Sequence, residues 1–177
     1  VNGQPVTLMA KVGTFSEYAC VSEQSIIKVE KDIPLECVAL VSCGVATGWG
    51  SAANRAGTQP GDTVVVVGIG GIGMNAVQGA RMAGAKRIIA IDPIEFKREK
   101  AMEFGATHTF PSMADAMMSV MEMTYGQMAD RVIMTPGVLH GEMMTEAMNL
   151  AGKGSTVVIT AISPMTSETA NINLFNL

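Results

Sequence analysis

What these 177 residues contain little of narrows the reading first. Charged residues make up 16% of the chain and aromatic residues 5%. Lys and Arg total 12 against 16 Asp and Glu, a net charge of −4. The densest basic stretch, Lys97, Arg98 and Lys100, is interrupted by Glu95, Glu99 and Glu103. Phosphate backbones are bound by clustered cations, so no nucleic-acid partner is expected, and the stretch reads as a solvated helix face. The three cysteines, Cys20, Cys37 and Cys43, have no paired spacing. That excludes a disulfide framework and suits a reducing, cytoplasmic compartment. Cys20 and Cys37 read as small core residues. Of the two histidines, neither His108 nor His140 has a nucleophile or second ligand at usable spacing, so both read as structural or solvent-facing. Ser16, Ser42 and Ser51 lack a nucleophile elbow, so hydrolase chemistry has no support. No run approaches the roughly 20 apolar residues of a membrane span, and no membrane partner is expected. The apolar stretch Val64 to Ile72 is short and full of glycine. The chain opens at Val1 without a charged leader or cleavable apolar segment, which reads as an interior piece of a longer protein.

What is present points to one compact domain with flanking chain. The composition is 48% hydrophobic, enough for a full core, and the 15 methionines read as adaptable core filler. Residues 1–33 are strand-like and loop-like, with strand formers from Thr14 to Val21 and again from Ser25 to Val29. From Pro34 the texture becomes helical: Leu35, Val38, Ala39 and Ser42 follow a helical period, and a second helix is expected from about Ala46 to Ala56. After the turn Pro60-Gly61-Asp62, strand and helix alternate. Strands are expected at 63–67, 87–91, 107–110, 131–134 and 156–160. Helices are expected at 71–84, 93–104 (closed by Gly105), 112–124 (capped by Ser112) and 139–151. Such alternation implies an α/β fold, a doubly wound parallel sheet with helices on both faces. Five of its six strands are countable.

The chemistry concentrates on one loop. Gly68-Ile69-Gly70-Gly71-Ile72-Gly73 places Gly68, Gly70 and Gly73 at the G-x-G-x-x-G spacing, after a strand and before a helix. Gly68 permits the tight turn, Gly70 lets backbone approach a pyrophosphate, and Gly73 lets the helix pack closely on the sheet. The helix N-terminus adds free N–H groups and a partial positive charge. Asp92 closes the next strand, 92 − 73 = 19 residues past the last glycine. There its carboxylate can accept the adenosine ribose hydroxyls and repel a 2′-phosphate, which favours NAD over NADP. Taken alone, the same residues make a structural glycine turn and a surface acid.

Three runs carry a resemblance to a known family. They are Cys43-Gly44-Val45-Ala46-Thr47-Gly48-Trp49-Gly50, the turn Pro60-Gly61-Asp62 and the glycine loop. Together they resemble the zinc-containing medium-chain alcohol dehydrogenases with their Rossmann domain. Gly13-Thr14-Phe15-Ser16-Glu17-Tyr18 is similar to the strand of the GroES-like catalytic domain that precedes the cofactor domain. The segments Asp92-Pro93-Ile94-Glu95-Phe96-Lys97-Arg98-Glu99 and Gly105-Ala106-Thr107-His108 resemble the actinobacterial NDMA-dependent, nicotinoprotein-like subgroup.

The resemblance implies residues 1–33 as a remnant of the catalytic domain and 34–177 as the NAD-binding Rossmann domain, incomplete at its C-terminal end. It implies Cys43 as a ligand of a catalytic zinc, Thr47 beside the nicotinamide and hydride path, and Ile72 behind the nicotinamide ring. Lys97 then lies near the adenosine ribose, Thr160, Ala161 and Ile162 hold the carboxamide, and Gly71 belongs to the phosphate loop. The family's other two zinc ligands, its proton relay and its structural zinc lobe have no counterpart in these residues, and a catalytic zinc takes three protein ligands. The implied function of the full-length protein is NAD- and zinc-dependent oxidation of a primary alcohol to an aldehyde by a homo-oligomer. The piece alone is expected at most to bind NAD, without turnover or stoichiometric zinc. An unpaired edge at the fifth strand is expected to alter self-association or leave 163–177 disordered. Three rivals stay open. A zinc-free quinone or enoyl reductase shares the loop, but Cys43 and Thr47-Gly48-Trp49-Gly50 weigh against it. A non-catalytic dinucleotide-binding module need not encode the remaining zinc ligands. A methyltransferase would take a cofactor without a pyrophosphate.

Overall fold

The computed structural model describes residue 14, residues 16–166 and residues 169–172. It separates into two compact units, Val1–Val38 and Ala39–Leu177. Among its described residues the larger unit holds five strands: β1 (Thr63–Val67), β2 (Arg87–Ile91), β3 (His108–Phe110), β4 (Ala129–Met134) and β5 (Ala151–Ile159). The helices are α1 (Leu35–Leu40), α2 (Ala46–Gly50), α3 (Gly71–Met82), α4 (Glu95–Phe104), α5 (Met113–Met123) and α6 (Gly141–Leu150). The sheet order is β3-β2-β1-β4-β5, and every pairing is parallel. This is the doubly wound α/β architecture expected from the alternation of strand and helix.

The sheet forms where it does because its central strands are apolar on both faces. All five residues of β1 are buried, and Val65 lies between Ile89 of β2 and Val132 of β4. Alternate residues feed two cores. Val64, Val66, Ile88, Ala90 and Ile133 pack with Ala76, Val77 and Ala80 of α3 and Ala101 of α4. Val65, Val67, Ile89, Ile91, Val132 and Met134 pack with α5 and α6, including Ala116, Val120, Met144, Ala147 and Leu150. Each fully buried Val or Ile contributes about 1.5–3 kcal/mol of transfer free energy, so the middle of the sheet is the least negotiable part of the molecule. At the opposite end of β1, the Asp130 Oδ2 accepts the Thr63 N–H at 2.8 Å.

Four expectations need correction. Among the described residues of 14–33 there is no strand; regular structure there is limited to a 3-10 turn at Glu23–Ser25 and a hydrogen-bonded turn closed by the Ile33 N–H on the Glu30 carbonyl. Strand formers make a strand only when a neighbouring strand takes their backbone hydrogen bonds, and among the described residues none pairs with this segment. Cys20 and Cys37 are exposed, not core, because no described residue of the smaller unit is buried. The two helices read between Pro34 and Gly57 are one helical run, Leu35–Arg55, in which α1 and α2 are joined by a π-helical turn, Val41–Val45, and α2 is followed by another, Ser51–Arg55. By length and composition alone that run is long and apolar enough to cross a membrane, which the residue-by-residue reading did not register. Glycine and small residues let its later turns pack instead: a Cβ on Gly48 would strike the Ile72 carbonyl, and Ser51 and Ala52 are buried. The strand Gly13–Tyr18 is only partly testable, since Gly13 and Phe15 lie outside the described residues, as do 167–168 and 173–177 of the expected C-terminal tail. The described part of that tail is irregular and exposed, and it is tethered by hydrogen bonds from Ser163 Oγ to the Leu139 carbonyl and from Thr145 Oγ1 to the Asn171 carbonyl.

Candidate functional site

The sheet's connections run from β1 outward through β2 to β3, then return to the other side of β1 for β4 and β5. At the carboxyl ends of β1 and β4 the chain therefore parts in two directions, and open parallel sheets hold their ligands in such a crevice. A cleft of about 750 Å³ lies there. Gly68, Gly70, Gly71 and Ile72 line it, with Asp92, Lys97, Thr160, Ala161 and Ile162, so nine of the residues singled out in the sequence meet in one cavity.

The glycine loop owes its shape to two tight positions. Gly68 has φ +88°, and a Cβ on it would lie 2.7 Å from the Cα of Pro136. Only glycine meets both demands without strain. Gly73 is buried, and a Cβ there would overlap the Gly68 carbonyl oxygen. The missing side chain lets α3 close on the loop itself, where the spacing had implied close packing on the sheet. Gly70 caps α3 without any side-chain hydrogen bond, and a Cβ on Gly70 or Gly71 would meet nothing within 4 Å. The first amides of a helix have no partner inside it, so the start of α3 presents donors and its dipole to open space.

Asp92 is buried and pinned. Its Oδ2 accepts the Ile69 N–H at 2.8 Å and its Oδ1 accepts the Ile94 N–H at 2.9 Å. Lys97 Nζ stands 3.6 Å from Oδ2. Arg98 donates through Nη1 to the carbonyls of Asp92 and Pro93, at 2.8 and 2.9 Å. The basic stretch is thus only partly a solvated face: Lys97 and Arg98 fold back onto the turn, while Lys100 pairs with Glu103 at 2.9 Å. A carboxylate has roughly four lone-pair directions, so two amides leave Asp92 capacity to accept a ligand's hydroxyls.

The remaining candidates lie apart from the cleft lining. Cys43 is exposed within the first π-helical turn. Thr47 is half-buried in α2, and its carbonyl accepts Ser51 Oγ at 2.7 Å. That hydroxyl's single proton is then committed, so the 2.9 Å bond between Ser51 and Thr160 is donated by Thr160. Ser51 thereby ties α2 to the end of β5, a link the sequence did not signal. Thr135, Pro136 and Gly137, which follow β4, also line the cleft and were missed. The rule placing ligands at the carboxyl ends of strands beside the switch point would have found them. Among the described residues no three His, Cys, Asp or Glu side chains come together as a metal site. A catalytic zinc takes three protein ligands, so Cys43 by itself does not fit that metal. The cleft, with its open helix start and inward acid, does fit a dinucleotide.

Sheet order, switch-point crevice and glycine loop together define a Rossmann-type doubly wound unit. Comparison with known proteins makes the assignment more specific: the chain belongs to the zinc-binding dehydrogenase family, whose model matches residues 71–177. It is 54% identical over 155 residues to the NDMA-dependent alcohol dehydrogenase of Amycolatopsis methanolica, covering 88% of this chain and 42% of that protein. Among solved structures, an alcohol dehydrogenase zinc-binding domain protein from Burkholderia ambifaria matches with a TM-score of 0.77 at 31% identity, covering 85% of this chain and 40% of that one. A zinc-binding dehydrogenase from Sinorhizobium meliloti bound to NADP matches with a TM-score of 0.66 at 32% identity, covering 75% and 39%. The chain spans about two-fifths of the length of these relatives.

Proposed function

We propose that the cleft binds NAD and that the full-length protein is an NAD-dependent, zinc-dependent alcohol dehydrogenase converting an alcohol to an aldehyde. The observation that carries the reading is the pairing of an open helix start with a buried acid, Asp92, in one crevice. When bound, NAD supplies a nicotinamide that accepts a hydride. This chain's residues bind and orient. Gly70 and Gly71 let the diphosphate sit against the first amides of α3, with Gly68 and Gly73 shaping the loop. Asp92, steadied by two amides, takes the ribose hydroxyls, and Lys97 sits beside it. Ile72 backs the nicotinamide, and the chain from Thr160 to Ile162 at the end of β5 holds its carboxamide. The Ser51 link keeps Thr47 in register with that end, beside the reacting face. Residues 34–177 serve as the cofactor domain and 1–33 as a remnant of the catalytic domain. A cytoplasmic homo-oligomer acting on a small alcohol completes the reading. Cys43 is the one zinc ligand that these residues offer, so no step through the metal follows from them.

NAD, not NADP, is favoured because a 2′-phosphate would meet the Asp92 carboxylate. That choice runs against the NADP held by the Sinorhizobium meliloti relative, which makes it the point to test. Titration calorimetry on the full-length protein should show NAD binding at least about tenfold tighter than NADP, an energy difference of roughly 1.4 kcal/mol. Asp92→Asn should weaken NAD and narrow the gap. Equal binding of the two by the wild type would refute the assignment.

A further inference from the structure

The turn from β1 into α3 is gripped by side chains in a manner the glycine spacing does not itself require. At the exit of β1 the sheet's ladder ends with two backbone bonds: Thr135 N–H to the Val67 carbonyl and Gly68 N–H to the Ile91 carbonyl, both 2.8 Å. One peptide further on, two side chains continue it. The Thr135 hydroxyl donates to the Gly68 carbonyl at 2.7 Å, and the Ile69 N–H donates to Asp92 Oδ2 at 2.8 Å. A trans peptide points its C=O and N–H in opposite directions. The single Gly68–Ile69 plane is therefore held from both sides, by a residue following β4 and by one following β2.

We infer that Thr135 is a positioning residue for the diphosphate loop, its hydroxyl acting with Asp92 to lock the Gly68–Ile69 peptide so that the start of α3 faces the cleft before a ligand arrives. The inference rests on the reading of the cleft as a dinucleotide site. Gly68, at φ +88°, has no Cβ to resist rotation of its peptide, so orientation there must come from partners. Thr135 is buried, and its one hydroxyl proton is shared between the Gly68 carbonyl and the Val67 carbonyl, 3.1 Å away. Replacing that hydroxyl by a methyl group of similar size would leave the Gly68 carbonyl without its donor. The peptide could then turn over and direct an oxygen, not an amide, toward the phosphates.

Calorimetric binding of ADP-ribose and of AMP to the full-length protein tests this. Both carry the adenosine ribose, and only ADP-ribose carries a diphosphate. Thr135→Val should weaken ADP-ribose about tenfold, the scale of one lost hydrogen bond, and leave AMP within about twofold. Thr135→Ser should restore wild-type binding. Thr135→Cys, whose thiol is a weak donor, should fall between. Should the valine variant fail to fold, the serine and cysteine variants decide: cysteine binding ADP-ribose as well as serine does would overturn the clamp. So would equal ADP-ribose affinity in Thr135→Val and wild type, or parallel losses for ADP-ribose and AMP. Wild-type protein that binds neither ligand would instead overturn the cofactor reading, and the clamp with it.

Discussion

Gly73 has no room for a methyl group, because the space belongs to the Gly68 carbonyl oxygen. That oxygen is backbone and is itself held by Thr135, so it cannot step aside as a flexible side chain would. Gly73→Ala should therefore cost about 1–3 kcal/mol of stability, the range for overpacking a close-packed site, and should weaken dinucleotide binding by moving α3 off the loop. Denaturant midpoints and titration of the same variant check both effects. A variant as stable as wild type would show that the loop relaxes more readily than its contacts imply. Asp92 shows a different economy of means. One carboxylate fixes the glycine loop through Ile69, fixes its own turn through Ile94 and still faces the cleft. Its replacement is expected to disturb shape and recognition together, which is why the NAD-to-NADP ratio is the more telling readout than NAD affinity alone.

Among the helices, α5 shows how one residue sets a boundary. Ser112 lies in extended conformation, its Oγ accepts the Asp115 N–H at 3.1 Å, and its hydroxyl reaches the Asp115 carboxylate at 2.5 Å. Ser112→Ala should lower stability by about 1 kcal/mol and speed hydrogen exchange in the first turn of α5, while leaving α3 protected. Legibility in the sequence followed the range of the deciding interaction. β1 and β2 match their expected bounds because residues 64–67 and 88–91 are apolar runs that announce burial on both faces. The cap at Ser112 and the stop at Gly105, which has φ +118°, were equally local. β5 begins at Ala151, not Thr156, because Ala151-Gly152-Lys153-Gly154-Ser155 looks like a turn, and only pairing across a register shift with β4 makes it strand. The described residues of 14–21 show the converse, strand formers with no partner strand among the described residues. In the cleft, the glycines and Asp92 were legible from spacing. Thr135 lay within reach of the strand-end rule, but the partner of its hydroxyl, 67 residues away, was not legible, and neither was the link made outside the cleft lining by Ser51, whose partner lies 109 residues away.

For the molecule as a whole, the sheet order leaves β5 paired on one side only among the described residues. Ile159 is exposed near its end, and an open strand edge with apolar side chains invites pairing. The 177-residue chain prepared alone should associate in a concentration-dependent manner in sedimentation velocity. Ile159→Lys should shift it toward monomer, as edge charges do. A chain that stays monomeric across the accessible concentration range would show that the edge is covered.

The gripped peptide at Gly68 also bears on how this protein assembles. Its two anchors come from segments 23 and 67 positions downstream, and contacts so distant in the chain form only after long loops have closed. On a ribosome, the glycine-rich segment emerges well before the residue that fastens it. Competence to hold a ligand must therefore lag behind the local helices and wait for the fourth strand of the sheet to dock.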